Sequence, residues 1–269
     1  MRPWVLRREI QLWLALPGIR HYPRHALPAP LYISLTSHPP RYKYLRQCLL
    51  SLLVQDVRPD GLLLWLEAAD LAALPPGVRA LQRLGLRIMP CENGLRSYKK
   101  LIPALDVYPD AYIATADDDQ VYPRDWLSSL AAASGPGVIA YHRAHRMRFE
   151  ADGMPATYAS WEREIGDQRP DDIVVPTGVA GILYPPGAFD PRVTDRELFQ
   201  TLAPTCDDLW LRWMAELNGS RYRKAQPAGL RADLPTSTVA HLWAINSMGP
   251  MGNDLAVKTL TRRFGPLRA

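Results

Sequence analysis

The apolar residues fall into short blocks whose spacing changes along the chain. Leu31-Tyr32-Ile33-Ser34-Leu35-Thr36 is a compact apolar run stopped by Ser37-His38-Pro39-Pro40, which predicts a buried strand. From residue 41 to 55 the pattern changes, with Leu45, Leu49, Leu52 and Leu53 at helical spacing. Residues 61–67 predict a second strand, 75–84 a helix and 86–90 a short third strand. Residues 97–105 predict a helix that Pro103 kinks or ends. Residues 111–116 predict a fourth strand, which runs directly into three aspartates. Pro123 suits the first turn of the next helix, whose apolar side is Trp126, Leu127 and Leu130. Residues 137–141 predict a fifth strand.

Strand and helix thus alternate over residues 31–141, the order of an α/β protein with a mainly parallel sheet flanked by helices. Beyond residue 145 the alternation fails. Residues 146–172 are polar and predict a looped segment, and residues 207–217 predict a further helix. No internal repeat and no low-complexity tract interrupts the chain. A length of 269 residues suits one α/β domain over 31–269 with a long C-terminal elaboration, preceded by an N-terminal extension over 1–30.

Composition narrows the classes. The hydrophobic share of 47% and charged share of 22% are those of an ordinary globular protein. The formal net charge is +5, and all but five of the 32 basic residues are arginine. Arginine suits bidentate contact with phosphate oxygens. Such an excess fits phosphorylated substrates, an anionic membrane surface or nucleic acid, and equally a solvated surface. The three cysteines, Cys48, Cys91 and Cys206, form no C-x-x-C pair, and Cys48 falls on the apolar face of a helix. Unpaired thiols in a reducing, cytoplasmic compartment are expected.

Ligands of open α/β sheets bind beyond the carboxyl ends of the strands. The first strand ends in Thr36-Ser37-His38-Pro39-Pro40-Arg41, neither G-x-G-x-x-G nor a Walker A loop, which disfavours a dinucleotide oxidoreductase and a P-loop NTPase. The fourth strand ends in Asp117-Asp118-Asp119. Adjacent carboxylates repel one another and are best tolerated beside a cation. Hard oxygen ligands select Mg²⁺ or Mn²⁺, ions that typically bridge one or two carboxylates to substrate phosphates.

Thr115 to Gln120 resembles the D-x-D motif of glycosyltransferase family 2, whose members have the Rossmann-like GT-A fold and use nucleotide-sugar donors. The resemblance extends over most of residues 31–260. It is supported by Leu35-Thr36-Ser37, by Lys100-Leu101-Ile102-Pro103-Ala104-Leu105, by Thr177-Gly178-Val179-Ala180-Gly181-Ile182-Leu183-Tyr184 and by Cys206-Asp207-Asp208-Leu209-Trp210. It implies a nucleotide-sugar-binding half over 31–145 and a half over 146–269 that binds the acceptor and supplies the base. It places Asp117 near the nucleotide ribose and Asp119 on a metal that bridges the donor diphosphate, with Asp117 as a further candidate ligand. Asp118, Thr36, Ser37, Arg41 and Glu67 are expected on the donor side, at or just beyond strand ends. Asp208 matches the second acid of the family's Glu-Asp pair, the base of inverting members. Asp207 stands where the family has glutamate, one methylene shorter.

The implied reaction is metal-dependent, inverting transfer of a sugar from a nucleotide-diphosphate sugar to a glycan or lipid-linked acceptor, such as surface polysaccharide synthesis needs. For Asp207 and Asp208 the plain alternative is two acids complementing a helix dipole. Lys100 is a candidate for the donor phosphates, whereas Lys99 is expected in solvent. His241 is a candidate third metal ligand or a structural histidine. His142 and His145 lack the partners of a zinc set and are expected to be non-ligands. Gly178 and Gly181 either admit a sugar to the backbone or mark tight bends in a strand. Asn253 resembles the family's C-terminal pattern and is also placed to cap the last helix.

Three rivals remain open, one of them a catalytically dead relative kept as a binding partner, against which the intact Asp117, Asp119 and Asp208 argue. A nucleotidyltransferase making sugar nucleotides also uses a metal-bound acid, but usually has a Gly-rich basic loop after its first strand. A nucleic-acid-binding protein should gather its arginines and aromatics on one face, and here the arginines are dispersed, so no nucleic-acid partner is expected. At the N-terminus, Trp4, Val5, Ile10, Leu12, Trp13, Leu14 and Leu16 mix with Arg2, Arg7, Arg8 and Arg20. That run is too short to span a bilayer. It suits either peripheral contact with the inner face of a membrane or a strap packed on the domain.

Overall fold

A computed structural model of the protein describes residues 22–169, 172–226, 232–235 and 252–267. The first half follows the expected alternation. Strand β1 (Leu31–Thr36) leads through a 3-10 turn at Pro39–Arg41 into helix α1 (Tyr42–Leu53), then strand β2 (Gly61–Glu67). Two short helices, α2 (Ala68–Ala72) and α3 (Pro76–Arg79), precede β3 (Leu86–Cys91). A 3-10 turn, Arg96–Lys100, and helix α4 (Ile102–Val107) lead into β4 (Tyr112–Thr115). The chain continues through β5 (Gln120–Val121), α5 (Trp126–Ala133), β6 (Val138–Tyr141) and β7 (Ala144–Arg146). The second half holds β8 (Val174–Pro176), β9 (Ile182–Tyr184), α6 (Arg196–Leu202), α7 (Asp207–Leu217), β10 (Arg221–Lys224), β11 (Ala232–Asp233) and α8 (Asn253–Phe264).

Among the described residues the main sheet has seven strands in the order β3-β2-β1-β4-β9-β6-β10. All neighbours run parallel except β9, which is antiparallel to both β4 and β6. A mostly parallel sheet flanked by helices is the expected α/β class, of GT-A type. Side chains alternate across each strand and so divide into two cores. Leu31, Ile33 and Leu35 of β1 face one side with Leu62, Leu64, Ala114, Ala140 and Leu183, under Leu45 and Leu49 of α1 and Trp126, Leu127 and Leu130 of α5. Leu63, Trp65, Ile113, Ile139, Tyr141, Ile182 and Tyr184 face the other, against Trp210, Trp213 and Met214 of α7 and Leu260 of α8.

Several local expectations change. The region 75–84 is one turn of α-helix followed by 3-10 turn rather than a continuous helix. Pro103 neither kinks nor ends a helix; it stands in the first turn of α4, where its missing N–H has no partner to lose. Pro123 precedes α5 and accepts the Trp126 N–H on its carbonyl instead of entering the helix. Asn253 is the first residue of α8 rather than its cap; the N-cap position is the extended Gly252, which has no side chain to close the helix.

The polar segment after β7 lacks long elements but is tied down by a buried cation. Arg146 donates from Nε and Nη2 to the two oxygens of Asp172 at 2.6 and 2.8 Å, and from Nη2 to Asp167 at 2.9 Å. It also pairs with Glu162. The β7–β8 ladder closes the base of this loop. Arg146→Ala removes the cation from the half-buried Asp172 carboxylate, which keeps only the Arg169 N–H, and loss of such charge-assisted hydrogen bonds costs about 1–3 kcal/mol. The variant is therefore expected to lower the urea midpoint markedly, and an unchanged midpoint would show that the network is decorative.

Tyr22 to Pro30 lies on the domain: Arg24 and His25 pair with Asp60, and Arg58 N–H donates to the Pro23 carbonyl. The apolar and arginine positions between Arg2 and Arg20, read as membrane contact or strap, lie outside the described residues. Among the described residues no helix is long and apolar enough to cross a membrane. Cys48, Cys91 and Cys206 are free thiols, and Cys48 is buried under α1 as its spacing predicts.

Candidate active site

Parallel pairing brings the carboxyl ends of β1, β2 and β4 to one edge. Ser34 is in register with Thr115, Thr36 with Trp65, and Ala116 N–H donates to the Ser34 carbonyl. Thr36, Ser37, Glu67 and Asp117-Asp118-Asp119 therefore emerge side by side. They line a cleft of about 910 Å³ whose far wall is Thr177, Gly178 and the start of α7. Acids far apart in sequence, at the end of β4 and the start of α7, thus share one cleft.

The three aspartates diverge. Asp118 turns inward and is nearly buried; its carboxylate accepts from Ser37 Oγ and from Arg41 Nη1, both at 2.6 Å. Asp119 accepts from Arg41 at 3.1 Å and from Gln120 Nε2 at 3.3 Å. Burial and the charges of Asp117 and Asp118 raise its pKa against the pull of Arg41. Asp117 pairs with Lys100 Nζ at 3.2 Å, and its backbone N–H donates to Tyr122 Oη at 2.7 Å. The C-terminal stretch closes over this turn: β11 pairs with β5, and Leu234 N–H donates to the Asp119 carbonyl at 2.8 Å. Arg41 and Lys100 therefore supply part of the positive charge that the triplet alone demands of an added cation.

Lys100 links the two acidic groups. Its ammonium lies 3.2 Å from Asp117 Oδ1 and 3.4 Å from Asp207 Oδ2 and is 8% exposed. Burial works against its charge, but Asp117, Asp207 and Asp208 hold its pKa well above the ordinary lysine value. The backbone carbonyl of Lys100 accepts from Ser34 Oγ, which also accepts from Trp65 Nε1, so the lysine is fixed from beneath. Lys99, expected in solvent, is equally buried and pairs with Glu67 at 3.2 Å. Burial opposes the Glu67 charge, yet the Gly94 N–H and Lys99 hold its carboxyl below the usual range.

Across the cleft, both oxygens of Asp208 accept from Gly178 N–H at 3.2 Å. Burial, then the Asp207 charge, push the Asp208 carboxyl up to about 7, against the opposing effects of Lys100 and the Gly178 N–H. A carboxylate that titrates near neutrality is matched to general-base work. Gly178 opens a 3-10 turn, Gly178–Ala180, and Gly181 ends it just before β9. Gly181 has φ +101°, and a Cβ there would lie 2.5 Å from the Trp126 ring. A Cβ on Gly178 would collide with Lys100 Nζ. Because the colliding atom ends a flexible side chain, Gly178→Ala should fold nearly as well as the parent while displacing the lysine from both acids. Misplacement of this kind can reduce turnover by about 10²-fold; normal turnover in the alanine variant would show that the lysine position is immaterial.

All of Thr36, Ser37, Arg41, Glu67, Lys100, Asp117, Asp118, Asp119, Asp207 and Asp208 line this cleft. His241 lies outside the described residues. Among the described residues no group of three His, Cys, Asp or Glu side chains stands close enough to hold a metal ion. His142 bonds Ser129 Oγ and the Trp126 carbonyl, and His145 Nδ1 accepts from Glu164 N–H. Sequence reasoning missed Arg96, Arg143, Tyr158 and Arg163 in the lining, and gave His145 and Thr177 no role there. Most come from the irregular segment after β6, where no periodicity says which side chain faces inward. Among the described residues the two non-glycine positions with positive φ, Arg96 and Glu164, both line the cleft, where backbone strain gathers, and no residue pattern announces either.

Comparison with protein-family models finds no match, and comparison with curated proteins finds none. A solved inositol-1-phosphate CTP transferase from T. maritima superposes with a TM-score of 0.43 and 11% identity, covering 87% of this chain and 96% of that chain. A superposition of this quality assigns no activity.

Proposed function

We propose that the protein transfers a sugar from a nucleotide-diphosphate sugar to an acceptor hydroxyl with inversion. The observation that carries this reading is the juxtaposition of Asp117 and Asp207 on either side of Lys100, with Asp208 next to them as a carboxylate titrating near 7. The donor lies along β1, β2 and β4 with its diphosphate toward Asp117 and Asp119. The acceptor enters from the side of Gly178 and α7. Asp208 takes the proton of the acceptor hydroxyl, whose oxygen forms a bond to the anomeric carbon. The bond from that carbon to the diphosphate breaks, and its electron pair leaves with the nucleoside diphosphate. Attack from the face opposite the leaving group inverts the anomeric centre.

Asp117 and Asp119 are the residues fitted to hold Mg²⁺ or Mn²⁺. They are two hard-oxygen donors at the cleft, and the Asp119 pKa, raised first by burial and then by the Asp117 charge, marks a carboxylate whose ionised form a cation would favour. Such an ion, when bound, stabilises the negative charge of the leaving diphosphate. Lys100 adds a positive charge at the same place, and Ser37 and Arg41 hold the aspartate turn in shape. The acceptor is a glycan or a lipid-linked saccharide.

Nucleotidyl transfer, the activity named for the superposed structure, is the rival reaction. It consumes a nucleoside triphosphate and a sugar phosphate and releases pyrophosphate. One assay separates them. The protein is incubated with a panel of nucleotide sugars, and separately with nucleoside triphosphates plus sugar phosphates, with Mn²⁺ and with chelator. Release of nucleoside diphosphate from a nucleotide sugar supports the proposal; pyrophosphate release from the second panel overturns it in favour of the rival.

A further inference from the structure

Beyond Asp208 the cleft wall changes character. Arg143 donates from Nη1 to Thr177 Oγ1 at 2.8 Å, and the next residue, Gly178, holds Asp208. Its other nitrogen, Nη2, donates to Glu164 at 2.6 Å. Arg163 lies over the Tyr158 ring, 5.4 Å from its centroid, and has no carboxylate partner among the described residues. Both arginines, Tyr158 and Glu164 line the cleft.

We propose that this end of the cleft selects an acidic acceptor saccharide, one bearing a carboxylate or phosphate near the reacting hydroxyl, through Arg143 and Arg163. The inference rests on the glycosyl-transfer reading and specifies its acceptor. Three features support it. First, these cations belong to the acceptor side. The donor-side acid Asp119 pairs with Arg41, whereas Arg143 donates to Thr177 Oγ1 beside Gly178 and Arg163 lies over Tyr158. The donor diphosphate therefore has its own partners elsewhere. Second, Glu164 already presents a carboxylate to Arg143, the geometry an acceptor carboxylate or phosphate takes. The Glu164 side chain is 64% exposed, and an exposed pair of this kind is weak enough to exchange. Third, Arg163 is stacked on the Tyr158 ring, which is tilted against Trp161 with centroids 4.7 Å apart, so its charge is pre-ordered rather than swinging freely.

His145 adds no third charge. Burial, then Arg143 and Arg163, lower its pKa to about 4, so it is neutral at physiological pH. Because Nδ1 accepts the Glu164 N–H, its proton sits on Nε2.

The test uses matched sugars: glucose with glucuronate and glucose 6-phosphate, and galactose with galacturonate and galactose 6-phosphate. Binding to the full chain is followed by protein-detected NMR, and transfer is followed with whichever nucleotide sugar the protein turns over. The charged member of a pair is expected to be preferred by about tenfold or more, as charge-assisted hydrogen bonds allow. The preference should shrink in high salt and vanish in Arg163→Ala, and Arg163→Lys should keep part of it. The carboxylate and phosphate arms show which anion fits better. Equal binding of neutral and charged sugars, or a preference that survives Arg163→Ala, overturns the inference. Binding preference without any donor turnover overturns only the transfer reading, and turnover that ignores acceptor charge overturns only this one.

Discussion

Asp208→Asn is expected to lower kcat by about 10²–10⁴-fold, the usual contribution of a general base. Donor affinity should change little, because the base acts only as the acceptor bond forms. The amide keeps the size of the side chain and can still accept the Gly178 N–H, so the loss reports the missing proton acceptor. The titration near 7 adds a second signature: kcat/KM of the parent should fall as pH drops through about 7, where Asp208 becomes protonated. Stability should move the other way. Folding raises this carboxyl's pKa above its unfolded value, so the ionised group penalises the folded state. That penalty is absent below the unfolded pKa, near 4, grows between there and about 7, and is complete above. Asp208→Asn should therefore be more stable than the parent at pH 8 and no more stable at pH 4. Each kcal/mol recovered shifts Tm by about 2–4 °C in a protein of this size. Unchanged turnover in the asparagine variant would remove Asp208 from the chemistry and leave it as a helix-start acid.

Asp119→Ala is expected to abolish divalent-ion-dependent donor binding, with turnover down by about 10²-fold or more, as for loss of an electrostatic element at the leaving group. Removing Asp119 leaves Asp117 alone, and that side chain is shared with Lys100. Chelator should silence the parent, and Mn²⁺ or Mg²⁺ should restore it. The variant should show the same low donor affinity with and without the ion. Isothermal titration of the donor into both proteins, with Mn²⁺ and with chelator, reads this directly. Tight donor binding by the parent in excess chelator would instead assign the diphosphate to Lys100 and Arg41, which already neutralise part of the triplet.

How much of this was legible without coordinates depended on regularity. The β1 alternation Leu31-Ile33-Leu35, the i, i+4 leucines of α1 and the apolar runs of β2 and β4 are dictated by burial against two helical layers. They gave the sheet, the strand ends and hence the placing of Asp117 to Asp119. The first-turn acids of α7 were visible for the same reason. The lysines were misjudged in part. Lys99 and Lys100 are adjacent, and nothing local says that a 3-10 turn buries both, one on Glu67 and the other on Asp117 and Asp207. The wall formed by Arg143, Tyr158 and Arg163 was not legible. It is shaped by the long-range pairing of Arg146 with Asp172 and by positive φ at Glu164, neither of which leaves a periodic trace.

The most direct measurement is a proton NMR time course of transfer from the nucleotide sugar that the protein turns over, reading the anomeric coupling of the first-formed product. The account predicts consumption of donor, release of nucleoside diphosphate and a new glycoside of inverted configuration, all lost in Asp208→Asn. A product that retains the donor's configuration, or pyrophosphate formed from a nucleoside triphosphate and a sugar phosphate while nucleotide sugars stay intact, would contradict it.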